Sequence, residues 1–338
     1  MIRDLISVIV VNWNGKQFLN DIFSSLLAQK YKNYELIMVD NASSDDSIEH
    51  VGKKFPQVKI IRLSKNIGFG PAVNKGAQKA KGKYILFLNN DLYLDKNCLG
   101  ELLKVIKKKD IGAVVPKIMI FDKRDRINSF GGTVNYLGVV GPRLIYQKDK
   151  KGLKEEEVAF GGLLLLEKKL FNRAGRFDRN IFLYHEDNDL SWRIRLLGKK
   201  IIVTPKAIIY HKYVFGRNPD KFYQSEKNRL LLIFKNYSLK TLVFIAPAAL
   251  FLETAEIFHG LTNGWLINKI KSYLEILSLL PKIIKEHQQV QKRRKISDKE
   301  ITRIFSGQLV LHDIESPLID YILNPALSFY WKLVKIVV

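Results

Sequence analysis

Ile6-Ser7-Val8-Ile9-Val10-Val11-Asn12-Trp13-Asn14-Gly15 is an apolar, β-branched run that breaks into polar residues and ends on a glycine. Apolar at every position but Ser7, Ile6–Val11 reads as a strand buried on both faces, as in a parallel sheet. Past Gly15, Phe18, Ile22 and Leu26 recur four apart with Leu19, Phe23 and Leu27 beside them, which is a helical face. Working outward, Glu35–Val39 is a second strand. A helix is expected from about Asp45, because Ser43-Ser44-Asp45-Asp46 supplies N-cap oxygens. Val58–Leu63 then reads as a strand, Ala72–Ala80 as a helix and Tyr84–Leu88 as a fourth strand. Strands alternating with helices at this spacing predict right-handed crossovers and an α/β fold with a mostly parallel central sheet flanked by helices.

Farther on the pattern loosens. Ile111–Val115, Val158–Leu166 and Ile201–Val203 read as strands, Leu190–Leu197 as a short helix, and Gly131-Gly132 and Gly141-Pro142 as loops. From about Lys221 long helical stretches take over, which divides the chain into residues 1–220 and a helical, basic region over 221–338.

The 338 residues allow one large domain with an appendage, or two domains. An apolar fraction of 47% excludes a disordered chain, and a mean hydropathy of −0.06 excludes one made mostly of membrane spans. The single cysteine, Cys98, excludes an intramolecular disulfide and a thiolate zinc cluster, and points to a reducing cytosol. The N-terminal run lacks a small-residue cleavage site and reads as a strand, not a signal peptide. Fifty-six Lys and Arg against 33 Asp and Glu give +23, so nucleic acid, anionic lipid and diphosphate substrates are all candidate partners. Nucleic acid is disfavoured, since aromatic residues are not interleaved with the basic clusters.

The most apolar window, Leu239–Leu252, is interrupted by Pro247 and is shorter than the ~20 residues of a spanning helix. Lys269, Lys271, Lys282, Lys285 and the run Lys292-Arg293-Arg294-Lys295 follow it. Two readings stay open: an amphipathic region on an anionic membrane face, or helices packed on themselves or on a second copy of the chain.

In an open α/β sheet, ligands bind beyond the carboxyl ends of the strands. There the sequence places Val11-Asn12-Trp13-Asn14-Gly15, Val39-Asp40-Asn41-Ala42-Ser43 and Leu88-Asn89-Asn90-Asp91. Each alone is ordinary turn or cap chemistry; three on one rim suggest a site. Asp91, between apolar Tyr84–Leu88 and Leu92, needs a partner, either a hard divalent cation held by oxygens or a cap. Tyr184-His185-Glu186-Asp187-Asn188-Asp189 crowds acids that repel unless they have cations or tasks. A helix starting near Asp187 would ease that repulsion and fix a general base; an acidic cap paired with Arg193 and Arg195 is the equal alternative. His211, after Ala207-Ile208-Ile209-Tyr210, reads as structural unless Asp91 binds metal.

The ordered series VNWNG, VDNASSD, KNIGFG, LNND, GG, FD, LYHEDNDLSWR and a late YH resembles family-2 glycosyltransferases with the GT-A fold. Within those it is most similar to bacterial rhamnosyltransferase-type enzymes of surface polysaccharide synthesis, over about Ile6 to Gly216. The resemblance implies that Val11, Asn12, Asn14, Asp40 and Asn41 hold the nucleotide base and ribose, with Asn66, Gly68 and Phe69 continuing that pocket. The family's acidic triplet falls on Asn89-Asn90-Asp91, with Asn89 departing from the usual acid. Asp91 and His211 would ligate Mg²⁺ or Mn²⁺, and Glu186 with Asp187 would be the catalytic pair, Asp187 the base. Gly161, Gly162, Trp192 and Arg193 would lie on the acceptor and donor side. The implied reaction moves a sugar from a UDP- or dTDP-sugar to a lipid-linked or growing glycan with inversion, in the cytoplasm at the inner face of the membrane. A non-catalytic nucleotide- or glycan-binding protein on the same fold is the alternative; the retention of Asp40, Asp91, Glu186 and Asp187 argues against it. A nucleotidyltransferase would more usually carry a Gly-rich N-terminal loop with a basic residue.

Overall fold

A computed structural model describes residues 2–212, 219–309, 317 and 319–338. The chain opens with β1 (Ile2–Asn12), α1 (Lys16–Leu27), β2 (Tyr34–Asp40), α2 (Ser47–Lys54), β3 (Lys59–Arg62), α3 (Phe69–Lys79) and β4 (Gly82–Asn89). There follow β5 (Leu92–Leu94), α4 (Cys98–Ile106), β6 (Ile111–Ile120), β7 (Ile127–Ser129), β8 (Gly132–Val134), β9 (Val140–Pro142) and β10 (Glu156–Glu157). After β11 (Leu165–Glu167) come α5 (Lys168–Arg173), α6 (Glu186–Leu196) and β12 (Lys200–His211). The rest is helical: α7 (Pro219–Asn236), α8 (Leu239–Asn263), α9 (Leu266–Arg293), α10 (Asp298–Ile301) and α11 (Asn324–Val337).

The main sheet runs β10-β12-β6-β11-β4-β1-β2-β3. β1 pairs in parallel with β2 and β4, β2 with β3, and β6 with β12; β11 enters antiparallel between β4 and β6. The chain leaves β1 toward β2 and returns on its other side as β4. This reversal of winding places the crevice for a ligand at the ends of β1 and β4, where Val11 pairs with Asn89.

Both sheet faces are covered, as the unbroken apolar runs require. Along β1 successive side chains alternate: Val8 and Val10 pack with Leu19, Phe23 and Leu26 of α1 and Leu99 and Leu102 of α4. Ile9 and Val11 pack with Val73 and Ala77 of α3 and Leu190 and Ile194 of α6. The opposite flank of α6, Trp192 and Leu196, shares a third core with Tyr237 just past α7, Ile245 and Leu252 of α8 and Trp331 of α11. Thus α6 joins the sheet to the C-terminal helices.

Several elements differ from the sequence reading. Of the strand expected over 158–166 only Leu165 and Leu166 are strand, at the start of β11, while β10 ends before it at Glu157; Gly161 passes where a side chain has no room. A Cβ on Gly161 would stand 2.3 Å from Val115 Cγ2. Helix α6 begins four residues earlier than expected, at Glu186, and β12 continues to His211 by pairing with β6 and β5. Helix α8 runs through Pro247 for 25 residues, so by length and composition alone it is long enough to cross a membrane, contrary to the shorter expected window. Ser238 caps it, accepting from the Thr241 N–H. Glu253 and Glu256 of α8 and Glu226 of α7 meet Arg229 and Lys269 in a buried ion network tying α7, α8 and α9 together.

Candidate active site

At the ends of β1 and β2 the polar side chains hold one another. Asp40, fully buried, accepts from the Ser43 hydroxyl at 2.6 Å and the Ser43 N–H at 2.9 Å. The Asn12 amide donates to Asp40 at 3.1 Å, and the Asn12 carbonyl oxygen receives the Asn90 amide at 2.8 Å. Ser43 also accepts from the Asn14 N–H at 3.0 Å, and Asn14, at φ +48°, accepts from the Ser44 N–H. Asn41 donates to Asn66 at 2.8 Å and accepts from the Ile67 N–H at 3.0 Å. Gly15 is required for this closeness: a Cβ there would fall 1.9 Å from Asn90 Nδ2.

Gly68 has φ +85°, and its missing Cβ leaves room for the Phe182 carbonyl, which accepts from the Phe69 N–H at 3.2 Å. The segment leading into α6 is therefore fastened to the start of α3, with Phe69 edge-on against Phe177.

Asp91 and His211 meet because β5 pairs with the end of β12, His211 lying opposite Leu92. His211 Nε2 is 3.1 Å from Asp91 Oδ2, and its Nδ1 is 3.1 Å from the Asn128 side-chain oxygen. Asp91 Oδ1 is buried and has no hydrogen-bond partner. Two ligands at right angles on an ion with bonds of about 2.1 Å stand about 3 Å apart, so the pair fits one divalent cation, and the orphaned oxygen supplies the missing reason for one.

Tyr184 and His185 both sit in the left-handed region, at φ +65° and +66°, and deliver Glu186 and Asp187 to the start of α6. Strain of this kind persists only where surroundings enforce it: Asn228 donates to the Leu183 and Tyr184 carbonyls, and His185 reaches Ser225 at 3.2 Å. Burial holds His185 down at about 4, hence neutral. Asp187 Oδ1 accepts from the Asn188 N–H and amide, while Oδ2 would stand 3.5 Å from a Cβ on Gly162. Burial pushes the Asp187 carboxyl up to about 6. Burial and then the Asp187 charge push Glu186 up to about 8, and Glu186 Oε2 has no partner. Burial thus disfavours the charged form of both carboxyls, and the Asp187 charge adds to that at Glu186.

The register of β11 links the two clusters. Leu165 lies opposite Leu86 of β4 and Val114 of β6. The loop that holds Gly162 beside Asp187 leads directly into β11 and so into the strand next to β4.

Residues 7–173 match the model of the Glycosyl transferase family 2 domain. The chain carries a family 2 glycosyltransferase domain. It is 24% identical over 243 residues to the N-acetylglucosaminyl-diphospho-decaprenol L-rhamnosyltransferase of Mycobacterium tuberculosis, covering 64% of this chain and 79% of that protein. Over 208 residues it is 24% identical to the poly-beta-1,6-N-acetyl-D-glucosamine synthase of Staphylococcus epidermidis, covering 61% of this chain and 49% of that one. Among solved structures, S. aureus TarS 1–349 in complex with UDP superposes with a TM-score of 0.52 at 20% identity, covering 98% of this chain and 90% of that one. GalNAc-T7 with UDP, GalNAc and Mn²⁺ gives 0.60 at 20% identity, covering 72% and 50% respectively. The fold is GT-A, and the enzyme is a glycosyltransferase.

Within this transferase two expected site residues lie elsewhere. Trp192 is 2% exposed and packs edge-on against Tyr237 and Phe305. Arg193 turns inward to Asp189 and the Ala174 carbonyl. Both follow from helix geometry: five and six residues past Asp187, they face the two cores that clamp α6. Arg195 pairs with Glu157, and of the expected acid–arginine pairings only Asp189 with Arg193 forms, inside α6 and not as a cap. Val11, 8% exposed, stands between Val39 and Asn89 at the rim. Three contributors went unnoticed in the sequence as site residues: Asn128, Ser43 and Phe182. Ser43 stood in a motif already singled out, but Asn128 and the Phe182 carbonyl act through tertiary contacts that no spacing reveals.

Proposed function

We propose that the transferase moves a sugar from a UDP- or dTDP-sugar to a glycan or polyprenyl-diphosphate-linked acceptor with inversion, assisted by Mg²⁺ or Mn²⁺. The observation that carries this reading is the pairing of Asp91 and His211 at the β4 end with one Asp91 oxygen unpartnered. The nucleotide would lie on Asn12, Asn14, Asp40, Asn41 and the Asn66–Phe69 segment. Asp91 and His211 would hold the cation, with Asn128 orienting the imidazole. Such a cation, when bound, stabilises the charge that grows on a departing diphosphate.

Asp187 accepts the proton of the acceptor hydroxyl. The freed oxygen bonds to the anomeric carbon as the bond from that carbon to the diphosphate oxygen breaks, and a single displacement inverts the centre. The Asp187 charge adds to the burial that favours a protonated Glu186, and Gly162 allows the acceptor to come close to both. Residues 1–220 would form the catalytic unit and 221–338 the helical region that meets the membrane. The rhamnosyltransferase relative acts on a decaprenol-linked acceptor by its name, which supports a lipid-linked acceptor here.

Asp187→Asn tests the assignment. Transfer should fall by on the order of 10²–10⁴ while UDP binding by calorimetry stays within twofold. Turnover at the wild-type rate would remove Asp187 from the chemistry.

A further inference from the structure

Far from Asp187 along α6, the C-terminal ends of α5, α6 and α9 surround a cavity of about 330 Å³. The basic run Lys292–Lys295 contributes to it, with Arg293 and Arg294 both in its wall. Its floor is neutralised: Lys235 pairs with Asp178 and with Asp189 at 2.8 Å, and Arg193 with Asp189 at 2.5 Å. Arg294 pairs with Asp298 at 2.6 Å, and Lys282 donates to Asn180 at 2.6 Å.

The rim is not neutralised. Among the described residues, Arg173, Arg179 and Arg293 have neither a carboxylate nor a hydrogen-bond partner. Two guanidinium groups also converge on one point, since a Cβ on Gly175, at φ +92°, would stand 3.3 Å from Arg193 Nη1 and 3.4 Å from Arg293 Nη1. Seven cations around the cavity meet four carboxylates, Asp189 and Asp298 behind its wall included. Arginine in a helix's last turn also answers the partial charge of that helix end, about half a unit each, which offsets only part of the excess. Arg173, Arg179 and Arg293 are exposed at the rim of one cavity, where their summed positive potential attracts an anion. Arginine forks match the paired oxygens of a phosphate, and the cavity is large enough for one with a small substituent.

We propose that this cavity is a second anion site, taking a phosphate group on Arg173, Arg179 and Arg293. It lies two turns of α6 from Asp187, so it binds independently of the donor. The group is carried by a soluble pyrophosphate or phosphate ester, or by a phospholipid headgroup.

Pyrophosphate is titrated into the full chain in EDTA, so that no metal recruits it to the donor site, against sodium chloride of equal ionic strength. Saturable thermal stabilisation beyond the chloride control is expected. Its Kd should weaken at least tenfold in Arg173→Gln/Arg179→Gln/Arg293→Gln, while UDP binding with Mn²⁺ stays unchanged and shows that the variant is folded. In a second arm, phosphatidylglycerol and phosphatidylcholine vesicles are sedimented with both proteins. Binding to phosphatidylglycerol that is lost in the variant, with no response to pyrophosphate, assigns the site to a headgroup. Pyrophosphate binding that is lost, with vesicle binding intact, assigns it to a soluble anion. If neither probe binds the wild type, or the variant binds both as the wild type does, the site is overturned. It is overturned equally if the single variant Arg179→Gln weakens pyrophosphate binding no more than Lys65→Gln on the remote α3 side.

Discussion

At the scale of the residue, the account turns on carboxylates placed in unlike surroundings. Asp91 keeps one oxygen against His211 and one without a partner, whereas Asp187 is held by Asn188 and lifted to about 6 by burial. A base must be ionised to work. Because the Asp187 pKa is raised, the active form is lost as pH falls through about 6, where an ordinary aspartate would persist to about 4. The plot of log kcat/KM against pH should therefore climb with unit slope below about 6 and level above it; a flat profile from pH 5 to 8 contradicts the assignment. That Asp91 and His211 stand at strand ends was legible in the sequence, because an apolar run that breaks into polar residues fixes where such side chains go. Trp192 and Arg193 were misread, since a motif string does not say which face of a helix each residue occupies. Asn128 was invisible, because only the pairing of β6, β7 and β12 brings it to His211.

At the scale of the element, the parallel half of the sheet was readable because strands buried on both faces give continuous apolar runs. Helix α6 was harder: apolar residues on opposite flanks and acids at its start leave no single stripe, and only its second half was recognised. The loop over 158–164 was misassigned because its apolar residues look like a strand, while its conformation is set by Val115 pressing on Gly161. Close packing also decides α3. A Cβ on Gly76 would lie 2.6 Å from Ile9 Cγ2 and 3.0 Å from Val39 Cγ2, both on stiff, β-branched core residues. Gly76→Ala should lower the stability by roughly 1–3 kcal/mol in urea unfolding, despite alanine's better helix propensity. A variant as stable as the wild type would show that the α3 contact is looser than described.

At the scale of the whole molecule, the charge and the apolar surface lie together. Val243, Leu250 and Phe258 of α8, Ile267 of α9 and Phe329 and Ile336 of α11 are all at least 65% exposed. Lys240, Lys271, Lys332 and Lys335 are interspersed among them. Exposed apolar side chains on three helices, with lysines close to them in sequence, suit an anionic bilayer surface. Vesicles containing phosphatidylglycerol should float the chain, less at high salt, and Phe251→Glu with Phe258→Glu should abolish flotation; a double variant that floats unchanged contradicts that use of α8. The central claim is the joining of distant residues around one cation, and diffraction from crystals grown with UDP and Mn²⁺ tests it most directly. An anomalous peak touching the Asp91 carboxylate and His211 Nε2 is the predicted result. An ion among Glu226, Glu253 and Glu256 instead, or none at Asp91, would contradict it.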